Sequence, residues 1–309
     1  MRPTAPVSRS AWGQFDMEGK KTKSPGIYRI SAEEYHSIDA VSNSALSLLA
    51  ESPRHLLYRR EHPLSPTPAM RLGTLLHAAI LEPGRVAEKF EVCPNFHLDD
   101  RNRTSAGARS NSKSTEWARS KFAEHAAAHT GKEIVSADIF EKMSLMAASL
   151  SCCRSAMDCL TGGEAELSAV WADGVTSLLC KGRADYVTST RVVDLKTTAG
   201  GATFDHVIGQ RGYHRQMAHY QRGFGTHLEP WIIAIDSLPP HCVRCAPVSS
   251  AAIIAGKAEL DNLLRTLRNC EVSGVWPGYK SPCEWTVPDR YLLQSESLES
   301  WIQGGTQNV

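Results

Sequence analysis

Two short segments near the middle of the chain constrain its fold more than any others. Residues 182–187 and 191–198 combine valine, tyrosine and leucine with charged side chains, and three polar residues, Thr188, Ser189 and Thr190, separate them. Apolar and β-branched residues on either side of a short polar break are typical of two strands joined by a tight turn. The sequence therefore predicts a β-hairpin in this region.

The predicted hairpin brings two carboxylates together. If the turn is centred between Ser189 and Thr190, Asp185 lies directly across from Asp194, and side chains opposed in this way have Cβ atoms about 4.5–5.5 Å apart. Two carboxylates at that distance repel each other unless a cation lies between them, and hard cations such as magnesium prefer carboxylate oxygens. Lys196 is two residues beyond Asp194 and shares its face of the strand. We therefore expect a metal and an ammonium beside a phosphate, with a surface hairpin that carries a salt bridge as the alternative.

Composition limits the classes of protein that fit. The 309 residues suffice for one large domain or two small ones, and the net charge of +1 means that any nucleic-acid surface must be local. The nine cysteines are odd in number, and there is no apolar segment of signal-peptide or transmembrane length, so we expect a cytoplasmic chain without membrane association. Cys242 and Cys245 are three apart in a predicted strand, and side chains at that spacing point to opposite faces, which disfavours a metal centre there.

The order of the predicted elements indicates an α/β fold in which helices flank a small mixed sheet. Helices are predicted at about 69–81, 139–150, 204–224 and 251–267, and strands at 166–172, 175–187, 191–196, 231–235 and 242–248. We divide the chain into a disordered tail at 1–25, a helical N-terminal region with a basic loop at 26–160, a sheet-bearing core at 161–290 and a polar tail at 291–309.

A glutamate on the strand before Asp185 is a further candidate ligand. If Asp173 and Gly174 form the tip of a hairpin, Glu166 lies opposite Lys181 and on the same face as Asp185. Glu164 shares that face, so the alternation of side chains does not choose between the two glutamates.

Two helices carry polar residues that could reach this site. His77 lies among apolar residues of the helix predicted at 69–81, where a hydrogen-bonded core histidine is the alternative interpretation. Gln216 and Tyr220 are four apart and share a helix face, from which they could bind a phosphate or orient Lys196. Ordinary packing against the sheet explains that pair equally well.

Basic residues suggest where a phosphate backbone would bind. Arg101 and Arg103 belong to a loop rich in serine, asparagine and glycine, which either contacts DNA or is simply solvated. Arg183 precedes the candidate carboxylate Asp185 by two residues. Arg211 and Arg215 add positive charge to the helix that carries Gln216.

Together these motifs resemble the PD-(D/E)XK nuclease superfamily, and within it the exonuclease VIII (RecE-type) nuclease domain of prophages. The resemblance extends over roughly residues 27–290 and rests on five motifs in order: His77 in Gly-Thr-Leu-Leu-His, Glu166 in Glu-Leu-Ser-Ala-Val-Trp, Asp185 in Gly-Arg-Ala-Asp, the run Asp194-Leu195-Lys196-Thr197-Thr198, and Gln216 with Tyr220. The resemblance favours Glu166 over Glu164. It also implies a PD-(D/E)XK (restriction-endonuclease-like) core.

The resemblance implies an enzyme that removes nucleotides from 5′ ends of linear double-stranded DNA and leaves 3′ single-stranded tails for recombination. It implies magnesium, with manganese as a substitute, held by Asp185, Asp194, the Leu195 carbonyl, His77 and Glu166. Lys196 would orient or deprotonate the attacking water and stabilise the phosphorane. Gln216 and Tyr220 would position the scissile phosphate or Lys196.

The same resemblance suggests partners and leaves alternatives open. Relatives form rings that thread DNA, so we expect a homo-oligomer, and a single-strand annealing recombination protein is the expected protein partner. A structure-specific or restriction-type endonuclease is the alternative enzyme. A non-catalytic DNA-binding subunit with the nuclease fold is the alternative from another class.

Overall fold

A computed structural model describes residues 21–199 and 204–279. The tails expected at 1–25 and 291–309 lie outside the described residues, except for residues 21–25. The chain divides into a compact unit that ends at Trp276 and a second unit that begins at Pro277. All helices and strands of the described residues belong to the first unit.

The described residues form eleven α-helices and eight strands. The helices are α1 (Ala32–Ser37), α2 (Asn43–Glu51), α3 (Pro53–Glu61), α4 (Pro68–Leu81), α5 (Val86–Lys89), α6 (Glu116–Ala128), α7 (Ala137–Ser151), α8 (Arg154–Cys159), α9 (Phe204–Gln210), α10 (Tyr213–Phe224) and α11 (Ser250–Ser273). The strands are β1 (Gly26–Tyr28), β2 (Phe90–Cys93), β3 (Glu133–Ser136), β4 (Glu164–Ala172), β5 (Leu179–Val187), β6 (Arg191–Thr198), β7 (Glu229–Asp236) and β8 (Val243–Pro247). Among these helices, none is both long and apolar enough to cross a membrane.

The strands build one sheet of six and one of two. The larger sheet has the order β1-β4-β5-β6-β7-β8, in which β6 and β7 are parallel and all other neighbours are antiparallel. The smaller sheet pairs β2 with β3 in parallel. The prediction of a mixed α/β fold with a small sheet flanked by helices is confirmed. Strand β1, which lies where we expected a tail followed by helices, and the smaller sheet were not predicted.

Alternating side chains of β6 and β7 pack into two separate hydrophobic cores, one on each face of the sheet. Val192, Ile232 and Ala234 face the core that contains residues of α2, α10 and α11. Val193, Leu195, Ile233 and Ile235 face the core formed with α4 and α7. Because both faces of these two strands are covered, apolar residues stand next to each other at 192–193 in β6 and at 231–235 in β7. Charged residues within these strands, such as Asp194, need partners inside the protein.

The register predicted for the β5–β6 hairpin is confirmed. Tyr186 pairs with Val193 and Val187 with Val192 around a turn in which Thr188 N–H donates to the Arg191 carbonyl at 2.9 Å. The regular ladder between β5 and β6 contains these two pairs. Asp185 and Asp194 would form the next rung, so both carboxylates lie where the two strands part.

The register predicted for β4 and β5 was wrong by four residues. Ala165 pairs with Tyr186 and Leu167 with Ala184, which places Glu166 beside Asp185 instead of opposite Lys181. The connection is longer than a two-residue turn because the Asp173 carboxylate accepts hydrogen bonds from Val175 N–H at 3.2 Å and from Thr176 N–H at 2.8 Å. This side-chain turn keeps residues 173–178 out of the strands.

The single helix predicted at 204–224 is two helices. Gly212 has φ of 65°, in the left-handed region that favours glycine, and it separates α9 from α10. The break changes the direction of the chain ahead of the segment that carries Gln216 and Tyr220. It therefore sets how α10 approaches the sheet.

Candidate active site

The candidate site lies where β5 and β6 part, between α4 on one side and α10 on the other. Asp185 on β5 is buried, and its Oδ2 accepts a hydrogen bond from the Leu195 backbone N–H at 2.5 Å. That bond takes the place of a further ladder rung between the strands. The other carboxylate oxygen, Oδ1, lies 3.3 Å from His77 Nδ1.

His77 reaches the site from α4, whose apolar side chains Leu75 and Leu76 are fully buried. Its Nε2 lies 3.0 Å from the Leu195 carbonyl oxygen, so the imidazole bridges Asp185 and the backbone of β6. Burial alone would lower the pKa of His77, but the Asp185 carboxylate more than reverses this effect and raises the pKa to about 9. The structure thus brings together His77, Asp185 and the Leu195 carbonyl.

Glu166 completes a group of three potential ligands. One ligand atom each of His77, Glu166 and Asp185 lies within 4.8 Å of the others. Burial, followed by repulsion from Asp185, raises the pKa of Glu166 despite a hydrogen bond from Arg183 Nε to its Oε2 at 2.5 Å. Its φ of 56° is unusual for a residue with a side chain, and such strain persists only where the surroundings enforce it.

Asp194 turns away from this group, towards α10. Its side chain is 1% exposed, with Oδ1 accepting a hydrogen bond from Gln216 Nε2 at 2.9 Å and Oδ2 lying 2.5 Å from Lys196 Nζ. Among the described residues, Oδ2 has no partner with good hydrogen-bond geometry, so its contact with Lys196 is chiefly electrostatic. Burial and repulsion from Asp185, opposed by Lys196, raise the pKa of Asp194 to about 6.

Lys196 lies on the same face as Asp194, as the strand alternation predicts. Its Nζ is 4.9 Å from the centre of the Tyr213 ring, within range of a cation–π contact. Burial lowers the pKa of Lys196, but the carboxylates of Asp194 and Asp185 outweigh it and raise the pKa. The ammonium form of Lys196 is therefore favoured at this position.

Gln216 and Tyr220 are hydrogen-bonded to each other, and Gln216 also donates to Asp194. Gln216 Nε2 is 2.8 Å from the Tyr220 hydroxyl, and that hydroxyl donates to the Arg183 carbonyl at 2.6 Å. A methyl group at Gly182 would lie 3.1 Å from the Tyr220 ring, so the bare backbone at Gly182 lets Tyr220 pack closely on β5. The pair ties α10 to both strands of the hairpin.

A cavity of about 370 Å³ opens beside Lys196. Lys196, Arg211 and Tyr213 line it on one side, and Ser42 and Asn43 at the N-terminus of α2 line it on another. Helix N-termini present free backbone N–H groups and partial positive charge. The cavity therefore combines several features that attract an anion.

Two of the arginines expected to contact DNA are used inside the protein. Arg215 is 3% exposed and binds Glu259, Ser47 and Asn43, so it is not available to a phosphate backbone. Arg183 holds Glu166 and donates to the Ile30 carbonyl at 2.7 Å. Both corrections have the same cause, which is that a guanidinium inside a fold satisfies its donors with nearby acceptors.

The other three expected DNA contacts lie at the surface. Arg211 is exposed at the edge of the cavity. Arg101 pairs with Asp99 at 2.7 Å, and Arg103 donates to the Gly107 carbonyl. The loop that carries Arg101 and Arg103 is built around the buried Asn102, whose amide donates to two backbone carbonyls.

Lys181 is a buried charge that the sequence reading missed. Its ammonium donates to the Tyr35 carbonyl at 2.9 Å and to the Ile38 carbonyl at 2.7 Å, at the end of α1. These bonds fasten α1 to β5, next to the cavity that Tyr35 also lines. The alternation of Lys181 with the apolar Cys180 and Leu179 at the start of β5 gives no clear signal of its role, which depends on carbonyl groups of α1 that are distant in the sequence.

Two of the described cysteines lie close together. Cys245 Sγ lies 3.7 Å from Cys159 Sγ, whereas Cys242 is exposed and precedes β8. In the part of the chain that the structure describes, the groups of three or more potential metal ligands include no cysteine.

Comparison with known proteins identifies the type of domain. The family model described as a PDDEXK-like domain of unknown function (DUF3799) matches residues 42–287. A crystal structure from Eubacterium rectale, named "putative exonuclease", is 13% identical with a TM-score of 0.54, and the match covers 86% of this chain and 98% of that one. A structure named SSO0001 is also 13% identical, over 63% of this chain and 87% of that one, but its TM-score is 0.25. No curated protein matches the chain significantly. At such low identity, the likeness to the Eubacterium rectale protein shows the fold alone.

Proposed function

The chain belongs to the PDDEXK-like domain family DUF3799, and we propose that it is a magnesium-dependent exonuclease that degrades linear double-stranded DNA. In this proposal the enzyme works from 5′ to 3′ and leaves 3′ single-stranded tails for recombination, as an exonuclease VIII (RecE-type) domain would. The observation that carries the proposal is the set of Asp185, Asp194 and Lys196 at the point where β5 and β6 part, in which both aspartates are buried and the Lys196 side chain is 18% exposed. Such a concentration of charge within an apolar sheet is costly unless it is used.

The donor set fits a divalent metal. Asp185, Glu166 and the Leu195 carbonyl offer the hard oxygen atoms that magnesium prefers, and His77 adds a nitrogen that manganese also accepts. The buried Asp194 Oδ2, which has no well-directed hydrogen bond among the described residues, is a further oxygen available for coordination. When bound, the metal would acidify water and shield phosphate charge.

The protein's own residues would position the substrate and balance charge. Lys196 would donate to a non-bridging phosphate oxygen or to the attacking water, because its ammonium points from Asp194 towards the cavity. Gln216 would hold Asp194 in place through the bond to Oδ1. Arg183 would fix the orientation of Glu166 in the same way, which makes it a positioning residue instead of a DNA contact.

The cavity beside Lys196 supports a place for the phosphate. Arg211 and the N-terminus of α2 border it, and both favour negative charge. Arg101 and Arg103 would extend the contact along the phosphate backbone from their exposed loop. A ring-shaped homo-oligomer would keep the enzyme on its DNA despite the small net charge of the chain, and a single-strand annealing protein would take up the product strand.

The test is digestion of end-labelled linear duplex DNA with magnesium, manganese, calcium or a chelator. We expect release of nucleotides from 5′ ends with magnesium or manganese, and an intact closed circular plasmid under the same conditions. Cleavage of the closed circle would identify an endonuclease instead. Binding of DNA without any release of nucleotides in either metal would indicate a non-catalytic subunit.

Substitutions test the assignment of the site. We expect Asp194→Asn and Lys196→Ala to lower the rate about 100-fold or more, the usual loss when a preorganised charge is removed. Lys142→Ala on α7 is the matched control, since α7 packs in the core on the opposite face of the sheet from Lys196. Digestion by both site variants at close to the wild-type rate would show that catalysis occurs elsewhere.

A further inference from the structure

A second cluster of potential metal ligands shares no residue with the candidate active site. It consists of Glu91 on β2, His125 near the end of α6, and His129, the residue that follows α6. One ligand atom of each lies within 4.8 Å of the other two. The two histidines are four residues apart, so they project from the same side of the helix.

A backbone contact determines which nitrogen of His129 is free. His129 Nδ1 lies 2.9 Å from the His125 carbonyl oxygen, and since a carbonyl can only accept, Nδ1 carries the proton that it donates. In the neutral ring the lone pair is then on Nε2, which faces Glu91 Oε1 at 3.7 Å. Metal-binding histidines are typically oriented in this way, with one nitrogen donating to a carbonyl and the other directed at the metal.

The second histidine has an unsatisfied nitrogen. His125 Nε2 is buried and has no hydrogen-bond partner among the described residues. Its ring centre is 4.4 Å from that of His129 and 5.9 Å from that of Phe96, so protein surrounds it. Burying a polar atom without a partner is unfavourable, and coordination of a metal would remove that penalty.

We propose that Glu91, His125 and His129 form a zinc site. Two imidazole nitrogens and one carboxylate oxygen are a donor set that zinc accepts, whereas magnesium prefers oxygen ligands. The side chains of Glu91 and His129 are 26% and 33% exposed, which leaves room for a water molecule as fourth ligand. Lys132 lies 3.4 Å from Glu91 Oε2, so it neutralises the oxygen that does not face His129.

The proposed zinc site spans two elements that are distant in the sequence. Zinc would tie the C-terminal end of α6 to β2 of the smaller sheet. The loop that carries Arg101 and Arg103 lies between these two elements in the sequence. Zinc would therefore close a loop of about 35 residues between Glu91 and the two histidines and stabilise its folded form.

The experiment is a zinc titration of the full chain carrying His77→Ala, which removes the only nitrogen ligand from the other cluster. Competition with a chromophoric chelator measures affinity and stoichiometry, and cobalt substitution provides a visible ligand-field spectrum that reports nitrogen ligands. We expect one equivalent of zinc. In the same background, His125→Ala or His129→Ala should weaken binding at least 10- to 100-fold, since even the loss of a residue that only orients a ligand has effects of that size.

Two further variants make the result decisive. Glu91→Gln keeps the size of the side chain and should also weaken zinc binding, so it carries the test if a histidine variant fails to fold. Glu124→Gln lies one residue from His125 but pairs with Lys121, and it should leave zinc binding unchanged. Absence of tight zinc binding in the His77→Ala chain, or equal affinity in the Glu91→Gln and Glu124→Gln variants, would overturn the proposal.

Discussion

His219 makes the stability of this fold sensitive to acid. The side chain lies on α10 with no measurable exposure, packs against Trp171 and has Nε2 at 3.0 Å from the Lys181 carbonyl oxygen, to which it donates. Nδ1 is buried without a partner among the described residues. Burial, which is the largest influence, lowers the pKa of His219 to about 4. The imidazole is therefore neutral in the folded protein at ordinary pH.

The size of this effect on stability follows from the difference in the pKa of His219 between the folded and the unfolded chain. A histidine in the unfolded chain has a pKa of about 6.5, so it takes up a proton before the folded protein does. The stability that neutral His219 provides is fully present above pH 6.5 and is lost as the pH falls towards 4. The loss amounts to about 2 kcal/mol at pH 5 and about 3 kcal/mol at the acid limit, by the linkage between proton binding and folding.

The assay is urea denaturation of the wild type and of His219→Gln at about pH 7.5 and about pH 5. Glutamine keeps an N–H donor for the Lys181 carbonyl but does not titrate. Between the two values of pH, we expect the free energy of unfolding to fall by about 2 kcal/mol more in the wild type than in the variant. Asp194 and Glu166 titrate in both proteins, so their contributions cancel. Equal losses in the two proteins would refute the argument that His219 is held neutral by burial.

Two other predictions concern buried polar contacts around the site. Gln216→Leu should lower nuclease kcat about 10- to 100-fold with little change in KM. The bond from Gln216 to Asp194 Oδ1 is charge-assisted, and such bonds contribute about 1.5–3 kcal/mol. Unchanged steady-state kinetics would show that Gln216 does not position Asp194. Lys181→Met should lower the free energy of unfolding, measured in urea, by about 2–4 kcal/mol, because the Tyr35 and Ile38 carbonyls lose their donor. A decrease below about 0.5 kcal/mol would show that water replaces the ammonium without loss of stability.

The hairpin of β5 and β6 could be predicted because all the information is local. A short polar turn between two apolar strands leaves few registers, and the pairing of Tyr186 with Val193 is the one expected. The connection from β4 to β5 was predicted wrongly because the Asp173 carboxylate builds a six-residue loop in place of a tight turn. Side-chain turns of this kind depend on one residue and leave little trace in hydrophobic periodicity.

The sequence predicted which residues approach the candidate site better than it predicted their hydrogen-bond partners. Periodicity placed His77 and Gln216 on helices, and the structure brings both to the parted strands. We predicted DNA contacts for Arg183 and Arg215 because a sequence shows a positive charge but not the hydrogen-bond acceptors around it. Both find those acceptors in residues distant along the chain, such as Glu259 for Arg215.

The short turn between β5 and β6 has a consequence for how such a protein can change. Ser189 and Thr190 are exposed, whereas the Thr188 hydroxyl oxygen accepts from Thr190 N–H at 3.2 Å and from Arg191 N–H at 2.9 Å. Substitution at the two exposed positions should therefore have little effect on stability. Insertion or deletion of a single residue is not, because it would shift β6 by one position and reverse the faces of Asp194 and Lys196 together. The turn can therefore vary in sequence at Ser189 and Thr190 while its length stays fixed.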